Sequence, residues 1–547
     1  TCLQLPWPVA ALLPLIVPLT HPRTGLDFEA LRYVRNLPWQ LSINSLLWFT
    51  ACLYFGLSLF DASSGISTIW RNNFGDLTFH LGMITSFVFG DNIPPEYHLY
   101  PGLRLSYPFL INFWSASLWW IYPSFRALAT IFMFQWIVIW MTIYYLLRGD
   151  RNRLLPWALL LGGGSLIAID WQALGTLESS NPLIAEGFFW TTFFTTIWVP
   201  QRAAMLGACC LLTALRTFSL YRNSQQQAYL VLTGIILGLS VLAHTHLFLI
   251  GATTIGTVLL IDVLRPNETS RKQALHAIVK VIIAGLPALL FLPWIIGKSG
   301  IVQLNFCPIV DGDPSLVECT KSWLKNTPVL IALVPFLWAI TRRHRFFVAM
   351  TFVFLAANAV LLSKWHWDQL KIFLGLYVVL LFIWSEAETR SSRWLQLLCM
   401  PLLLPACFEL YGIYKKLKPF QVYSETDVRR AEEIRHVVPA DAAILAAPNH
   451  NSLVTLTGRS IYLGYDGTLW SHGIEYAKRR ARTEKLLEIN RCSVESNAEF
   501  PEACPEYLLW QHQERNKWRL RLPQDTFVKT ELEYLYRIEQ AEKVNMQ

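Results

Sequence analysis

The chain has 547 residues, of which 53% are hydrophobic and 15% are charged, and its formal net charge is +8 at pH 7. Soluble domains usually carry about 25% charged residues, so this composition excludes an ordinary soluble enzyme and a disordered chain. It indicates a polytopic membrane protein. The basic residues form short clusters between apolar runs, such as Arg148, Arg151 and Arg153, which favours a topological role over nucleic-acid binding.

Residues 1–414 consist of apolar runs joined by short loops. A straight crossing needs about 20 residues, and on that length the runs predict about 11 to 13 transmembrane helices. The candidate runs are 5–20, 43–60, 108–148, 154–170, 183–220, 228–262, 276–297, 328–341, 346–363, 372–385 and 394–414. Proline and arginine break the longer runs, for example at Pro123 and Pro200. The sequence therefore predicts one transmembrane domain over residues 1–414.

Charges and cysteines together predict which segments lie outside the membrane. Arg23, Arg32 and Arg35 mark the segment before the second run as cytoplasmic, which makes the 61–107 loop external. The same argument places three further segments on that face: 298–327, 364–371 and 415–547. Two cysteine pairs in polar segments are candidates for disulfides, which form in oxidising compartments: Cys307 with Cys319, and Cys492 with Cys504.

Residues 415–547 carry charges throughout and contain no run long enough to cross a bilayer. Short apolar runs alternate here with amphipathic and charged segments, so we expect a soluble external α/β domain, periplasmic in a bacterial cell. The predicted helices are Val428–Val438 and Ile474–Ile489, and the predicted strands are Ala443–Ala447, Ile461–Leu463 and Tyr507–Trp510.

The external loop 61–107 holds the leading candidates for chemistry. Residues 76–89 have helical apolar spacing and predict a helix that lies along the membrane interface, with Asp76 and His80 on one face. Asp76 has two interpretations, an N-cap of that helix or a catalytic base that takes a proton from an acceptor. In the second, His80 orients Asp76 or binds the acceptor, and Glu96 and Arg104 bind substrate from the same loop.

Polar islands inside the apolar runs are the other candidates, because ionisable groups near hydrocarbon are costly and often functional. They contribute five predicted substrate-binding residues: Arg202, His244, His246, Asp368 and Lys371. Cations such as Arg104, Lys364 and Lys371 could hold a phosphate. Purely structural roles for these residues remain as alternatives. Arg202 could extend to the interface, the histidines could bond within the bundle, and Asp368 and Lys371 could simply pair as i, i+3 neighbours.

Two further groups of residues complete the survey. A divalent metal is possible if Asp76, His80, His244 and His246 converge, although the chain has no HExxH spacing. In the C-terminal region, polar loops follow the predicted strands, and His450, Arg459, Trp470 and His472 are candidates for recognition or for shaping turns. Gly162, Gly163 and Gly164 predict close packing of the backbone.

The layout resembles the GT-C superfamily of membrane glycosyltransferases. The resemblance lies in the segments Gly75–His80, Pro200–Arg202, His244–His246, Trp367–Lys371 and Gly464–Gly473, which also look like those of uncharacterised bacterial multispan proteins. It implies an acidic residue, Asp76, at the catalytic position of a long first external loop, many spans and an external C-terminal domain. Asp76 is followed by Leu77, whereas the mannosyl- and aminoarabinose-transferase members commonly carry two adjacent acidic residues there.

The resemblance implies an integral-membrane enzyme of the bacterial inner membrane. It would move a sugar from a polyprenyl-phosphate donor to a glycan, lipid or protein acceptor on the external face. The alternative from a different class is a non-catalytic protein, either a flippase for lipid-linked sugars or a structural subunit of a membrane complex. A transferase predicts a groove open to lipid beside Asp76, whereas a transporter predicts a path that opens alternately to both faces.

Overall fold

The structure is a computed structural model that describes most of the chain. The described residues are 43–147, 153–165, 167, 188–265, 267–296, 303–310, 312–341, 344–362, 366–386, 392–414, 419–489, 504–518 and 527–538. The first predicted span, 5–20, lies outside these residues, as do Arg148, Arg151 and Lys364.

The apolar part is mostly helical, as predicted. Its helices are α1 (Ile43–Ser58), α2 (Asn73–Phe89), α3 (Leu110–Trp119), α4 (Phe125–Leu147), α5 (Leu155–Leu161), a π-helix (Phe194–Trp198), α6 (Arg202–Ser224), α7 (Gln227–Ala243), α8 (Thr245–Val263), α9 (Glu268–Leu289), α10 (Leu292–Ile296), α11 (Leu316–Asn326), α12 (Pro328–Ile340), α13 (His344–Ala357), α14 (His366–Ser385) and α15 (Ser392–Tyr414). The short strands are β1 (Ile66–Thr68), β2 (Gln303–Leu304) and β3 (Val360–Leu361).

Among the described residues, five helices are long and apolar enough to cross a membrane. They are α4, α6, α8, α9 and the part of α14 that begins at Asp368. The pair α11 and α12 passes the same test together but is bent by 89°. Helices α1, α7 and α13 and the middle of α15 are apolar but shorter. Helix α2 is not among these apolar helices.

Two long apolar runs are each divided into two helices. The run 108–148 is interrupted between α3 and α4 by residues 120–124, which include Pro123. The run 228–262 is interrupted at His244, whose backbone is extended and whose ring nitrogen accepts a hydrogen bond from the amide of Leu247. Side-chain capping of this kind satisfies an amide that has no partner at the start of a helix. The helix can therefore be interrupted at His244 while the amide of Leu247 stays hydrogen-bonded.

The C-terminal region forms an α/β unit, as predicted. Its elements are β4 (Phe420–Tyr423), α16 (Glu425–Val437), β5 (Ala443–Leu445), β6 (Ser460–Ile461), α17 (Asp466–Ser471), α18 (Ala477–Ile489), β7 (Tyr507–Leu509), α19 (His512–Trp518), β8 (Phe527–Lys529) and β9 (Leu535–Ile538). Five strands form one sheet in the order β6-β5-β7-β9-β8, in which β5 is parallel to both neighbours and β9 is antiparallel to both neighbours.

Helix α16 begins at Glu425, three residues before the predicted start. Ser424 and Asp427 form a reciprocal capping box, in which each side chain accepts a hydrogen bond from the other residue's amide. The hydrophobic spacing that predicted Val428–Val438 marks the buried face of the helix, whereas the polar cap decides where the helix starts. Strands β8 and β9 were not predicted, because their apolar runs are only three or four residues long and each contains a charged residue.

The external loop and the C-terminal region pack together around α2. Strand β1 pairs with β4, and the hydroxyl of Thr85 donates to the carbonyl of Thr455 at 2.6 Å. One turn further on, at the last residue of α2, the guanidinium of Arg459 donates to the carbonyl of Phe89 at 3.1 Å. A cation at a helix C-terminus is favoured by the helix dipole. These two contacts hold the C-terminal end of α2, and His450 contacts the carbonyl oxygen of Phe74 at the end that carries Asp76.

One of the two predicted disulfides is confirmed. Cys307 and Cys319 are bonded, with their Cα atoms 5.9 Å apart. Cys504 is also disulfide-bonded, and Cys492 lies outside the described residues.

Candidate active site

Asp76 lies in the first turn of α2, whose N-cap is Asn72. The helix starts at Asn73, so the interpretation of Asp76 as the N-cap is wrong. Its side chain is only partly exposed. A carboxylate in the first helical turn is favoured by the helix dipole. Asp76 therefore does not cap α2, and its side chain interacts with residues of other elements.

The partners of Asp76 come from segments far away in the sequence. The side chain of Gln201, just before α6, hydrogen-bonds the carboxylate of Asp76. Asp368 and Lys371, in the first turns of α14, interact with it electrostatically. Lys371 Nζ lies 2.6 Å from Asp368 Oδ1, which confirms the predicted i, i+3 pair. The carboxylate of Asp76 thus lies within electrostatic range of the Lys371–Asp368 ion pair at the start of α14.

Burial raises the pKa of Asp76 to about 6. The charge of Lys371 and the hydrogen bond from Gln201 oppose this shift, and the charge of Asp368 adds to it. Catalytic bases work best when their pKa lies near the working pH. Asp76 is therefore ionised at neutral pH but takes up a proton more readily than an ordinary aspartate.

The break between α7 and α8 brings two histidines to the same place. The His244 and His246 ring centroids are 5.5 Å apart, and both rings interact electrostatically with Lys371. His246 also faces Asp368 and is partly exposed, whereas His244 is 6% exposed and caps α8. Residues two apart diverge on a regular helix, so the convergence depends on the break.

The C-terminal region supplies a third histidine to this group. His472 follows α17 and interacts electrostatically with both Asp368 and Lys371. Its ring stacks on that of Tyr107, with centroids 5.1 Å apart and an angle of 27° between the planes. Tyr107 in turn interacts electrostatically with Asp76. Burial lowers the pKa of His472 to about 4, so the ring is neutral at pH 7.

Arg202 and His80 belong to a separate, buried network. The guanidinium of Arg202 donates to Ser115, Gln135 and Asn112 at 3.1 to 3.2 Å. Asn112 Nδ2 lies 3.0 Å from His80 Nδ1. Both ends of the network are almost fully enclosed, since Arg202 is 4% exposed and His80 is 1% exposed.

The consequence is that His80 and Asp76 point to different neighbours although they are four residues apart on α2. Burial, aided by the charge of Arg202, lowers the pKa of His80 to about 3, which keeps the ring neutral. The roles predicted for Arg202 as a substrate-binding residue and for His80 as a catalytic residue require an exposed side chain. The contacts observed favour roles in positioning α2.

Glu96 and Arg104 are brought together within the external loop. Their backbones form an isolated antiparallel bridge, and the carboxylate of Glu96 accepts a hydrogen bond from the amide of Gly102 at 2.8 Å. Arg104 is exposed, donates to the carbonyl of Pro293 at 2.9 Å and stacks over the ring of Trp294. Glu96 shapes the loop, and Arg104 joins the loop to α10.

The residues considered for a metal do not form a ligand set. Within the described ranges, no group of three or more His, Cys, Asp and Glu side chains is arranged to hold a metal ion. His80 faces Asn112, and the cation beside Asp76 is the ammonium of Lys371. The convergence of Asp76, His80, His244 and His246 on which that metal site depended is therefore not found among the described residues.

The other residues singled out in the C-terminal region have distinct surroundings. His450 Nε2 lies 3.0 Å from both the Thr78 hydroxyl and the Phe74 carbonyl oxygen, one on each side of Asp76 in the sequence. The guanidinium of Arg459 donates to carbonyl oxygens, which include those of Val438 and Phe89. Trp470 is 49% exposed. His450 and Arg459 thus hold α2 in place.

An apolar cavity of about 300 Å³ lies along α14, beyond its polar first turns. Side chains from α11 to α14 line it, and Trp323, Val334, Phe354, Phe373 and Leu376 are among them. Phe373 is two residues beyond Lys371 on α14. Residues two apart point to different faces of a helix, so α14 carries its charged groups in the first turns and lines the apolar cavity with another face that begins at Phe373.

Sequence reasoning missed two members of this group and underrated a third. Gln201 stood in a motif that was noted for its arginine, and Tyr107 stood at the end of the external loop. His472 was only a candidate for recognition. Glutamine, tyrosine and histidine at these positions follow no recognisable spacing. The one sequence signal was that each residue lies in or beside a polar motif. Asp368, Lys371, His244 and His246 were predicted to bind substrate; the structure brings them into one polar group, and their role in binding stays a prediction.

Comparison with solved structures shows the fold. The sequence matches no protein-family model and no curated protein. ArnT from Cupriavidus metallidurans, solved with bound undecaprenyl phosphate, superposes with a TM-score of 0.50 at 10% identity, over 90% of this chain and 97% of that chain. The oligosaccharyltransferase AglB from Archaeoglobus fulgidus, solved with an inhibitory peptide and a dolichol-phosphate, matches at 11% identity and a TM-score of 0.44, over 85% of this chain and 69% of that chain.

The chain is a multi-pass membrane protein. Its architecture is the GT-C fold, which it shares with ArnT, and it carries a C-terminal α/β unit.

Proposed function

We propose that this protein is an integral-membrane glycosyltransferase that moves a sugar from a polyprenyl-phosphate donor to an acceptor on the external face of the membrane. The observation that carries the proposal is the position of Asp76. Its partly exposed carboxylate lies beside the Lys371–Asp368 ion pair and accepts a hydrogen bond from Gln201. A base next to a fixed cation is the arrangement that transfer from a phosphate leaving group requires.

The proposed reaction uses the carboxylate of Asp76 as the base and the ammonium of Lys371 as the cation. The carboxylate of Asp76 takes the proton of an acceptor hydroxyl or amide, whose oxygen or nitrogen forms a bond to C1 of the donor sugar. The bond between C1 and the phosphate oxygen breaks, and the electron pair leaves with the polyprenyl phosphate. The ammonium of Lys371 stabilises the negative charge that develops on that phosphate. The leaving group needs no catalytic acid, since phosphate is already a good leaving group.

The donor class is supported by the arrangement along α14. A lipid-linked sugar phosphate has a charged head and an apolar chain, and α14 carries Lys371 near its start and lines the apolar cavity with a different face that begins at Phe373. The ArnT structure with the same fold holds undecaprenyl phosphate. We infer that the phosphate of the donor binds at Lys371 and that its chain enters the cavity.

The acceptor would reach Asp76 between α2 and the C-terminal unit. His472 and Tyr107 flank this approach, and both are partly exposed. We place this face outside the membrane, because the Cys307–Cys319 disulfide lies in the 298–327 segment, on the same predicted side. On this proposal, residues 1–414 form the transmembrane domain and residues 415–547 an external domain.

The test is a transfer assay with protein reconstituted in lipid nanodiscs. A panel of polyprenyl-phosphate sugars is incubated with the protein and with candidate acceptors, and free polyprenyl phosphate is measured by mass spectrometry. We expect release of polyprenyl phosphate from at least one donor, in step with sugar transfer. Movement of a donor across vesicle membranes without breakage of its C1–O bond would instead support a flippase.

We predict an acidic limb in the pH profile of transfer near pH 6. Asp76 must be deprotonated to act as the base, and its pKa is raised to about 6, so kcat/KM should fall as the pH drops through that value. His472, with a pKa of about 4, should contribute nothing in this range. A limb at pH 4 or below, where ordinary aspartates titrate, would contradict the assignment of Asp76.

We predict that filling the apolar cavity selectively weakens the binding of long-chain donors. Val334→Trp inserts a large side chain into the cavity, so KM for a long-chain donor should rise roughly tenfold, while KM for an analogue with a two-isoprene chain should stay unchanged. Phe336→Trp is the matched control, because Phe336 is on the same helix, is 41% exposed and does not line the cavity. Equal effects on both donors would argue against a chain in this cavity.

A further inference from the structure

A buried carboxylate in α15 has no part in the reaction described above. Glu409 is 5% exposed and lies in an apolar helix, where an unpartnered carboxylate would be costly. Its carboxylate accepts hydrogen bonds from the hydroxyls of Thr192 and Thr195. Both threonines precede or belong to the π-helix Phe194–Trp198. A strongly bonded carboxylate thus joins α15 to a rare helical element.

The π-helix is bonded on several sides. The hydroxyls of Thr191 and Thr196 are 3.0 Å apart, and that of Thr196 donates to the carbonyl of Thr192 at 2.7 Å. Asn72, the N-cap of α2, lies 3.5 Å from the carbonyl oxygen of Thr195. The π-helix is rare, and single π-turns are frequent at functional sites.

The three consecutive glycines predicted to allow close packing contribute to the same place. Gly163 forms a backbone bridge with Thr192. A Cβ atom at Gly164, where φ is +77°, would lie 3.1 Å from both Pro405 of α15 and Thr192. Pro405 is one helical turn before Glu409. The glycines therefore let α15 approach Thr192 closely enough for Glu409 to reach the threonine hydroxyls.

The π-helix leads directly to the residue that contacts Asp76. The amide of Val199 donates to the carbonyl of Phe194 at 3.0 Å, and that of Gln201 donates to Ile197 at 2.9 Å. The backbone of Gln201 is thus bonded to the π-helix that Glu409 holds. The side chain of Gln201 then hydrogen-bonds Asp76.

We propose that Glu409 is a positioning residue, which fixes the π-helix so that Gln201 meets the carboxylate of Asp76. The inference deepens the proposed function, because it assigns how the base is oriented. Glu409 does not touch the reacting atoms, so its removal should act on Asp76 only through Gln201. The charged and titratable groups that face Asp76 from the other elements, Lys371, Asp368 and Tyr107, are unchanged by this removal.

The test compares Glu409→Ala, Glu409→Gln, Gln201→Leu and the double variant Glu409→Ala/Gln201→Leu. Two readouts are used. The first is the pH profile of kcat. The second needs no substrate and follows the pH dependence with which a hydrophobic carbodiimide, which reacts with protonated carboxyl groups, labels the peptide that contains Asp76. Glu514→Gln is the control, because Glu514 is another buried carboxyl group that accepts backbone hydrogen bonds, in the C-terminal unit.

We expect Glu409→Ala to lower kcat about tenfold, as loss of one hydrogen bond to a charged group predicts. The labelling midpoint of Asp76 should move up by about half a pH unit, because the bond from Gln201 favours the ionised form. Glu409→Gln should retain part of both properties, since its amide oxygen still accepts one hydroxyl. The double variant should equal Gln201→Leu alone.

Two results would overturn the positioning role. One is that the losses of kcat add in the double variant. The other is that the labelling midpoint of Asp76 stays in place in both Glu409→Ala and Glu409→Gln. If Glu409→Ala does not fold, Glu409→Gln and Gln201→Leu still decide the question. The labelling readout also separates this proposal from the proposed function. A shifted midpoint in a protein that transfers no sugar would support the positioning role and would count against the glycosyltransferase.

Discussion

Replacing Asp76 with asparagine is expected to lower kcat for sugar transfer by roughly 100-fold or more, because asparagine cannot take the acceptor proton. The substitution keeps the size of the side chain and its ability to accept a hydrogen bond from Gln201. The measurement is initial-rate transfer at pH 7.5, where the wild-type carboxylate is ionised. KM for the donor should change little, since Lys371 and the cavity are untouched.

The thermal stability of the Asp76→Asn variant is a control, because we expect it to stay the same or rise while the transfer activity falls. The pKa of Asp76 is raised in the folded protein, so its ionisation at neutral pH opposes folding. The variant should therefore be at least as heat-stable as the wild type at pH 7.5. Asp91→Asn is the matched control for activity, because Asp91 is an exposed carboxylate in the same loop. Full transfer by Asp76→Asn, or equal losses in both variants, would contradict the assignment.

Replacing Lys371 with methionine is expected to have the second large effect, a fall of roughly 100-fold in kcat/KM. Among the described residues, Lys371 is the positive charge that acts on Asp76, so the variant leaves Asp76 and Asp368 near each other without compensation. Lys371 lowers the pKa of Asp76, so the acidic limb of the pH profile should also move to higher pH. Both changes are measured in one series of rate profiles.

Two further variants separate the effect of the Lys371 charge from other effects of the substitution. Lys371→Arg should keep most of the activity, because a guanidinium can pair with Asp368 and bind a phosphate. Lys272→Met is the matched control, because Lys272 forms a similar i, i+4 ion pair with Glu268 on an exposed helix surface. Exposed pairs of this kind contribute about 1 kcal/mol or less. An unchanged pH limb in Lys371→Met would show that Lys371 does not act on Asp76.

The polar site was only partly predictable. The acidic residue in the external loop and the polar islands at 244–246 and 368–371 could be found, because charge in an apolar context is visible along the chain. Arg202 was visible by the same signal, yet it packs against Asn112 and Gln135 in a buried network. A charge pattern cannot distinguish a cavity residue from a buried, fully bonded one. That distinction depends on which neighbouring helices supply acceptors.

The sequence by itself determined the apolar runs, the α/β character of the C-terminal region and a cysteine pair close enough to bond, because hydrophobic periodicity and short-range spacing are local properties. Only the tertiary structure decided that Asp76, Gln201, His246, Asp368 and His472 meet at one place. These residues come from four helical segments and a separate unit, separated by up to 396 positions along the chain. Their convergence depends on the break at His244, the π-helix before Gln201 and the clamping of α2 by the C-terminal unit, all of which are set by packing between distant segments.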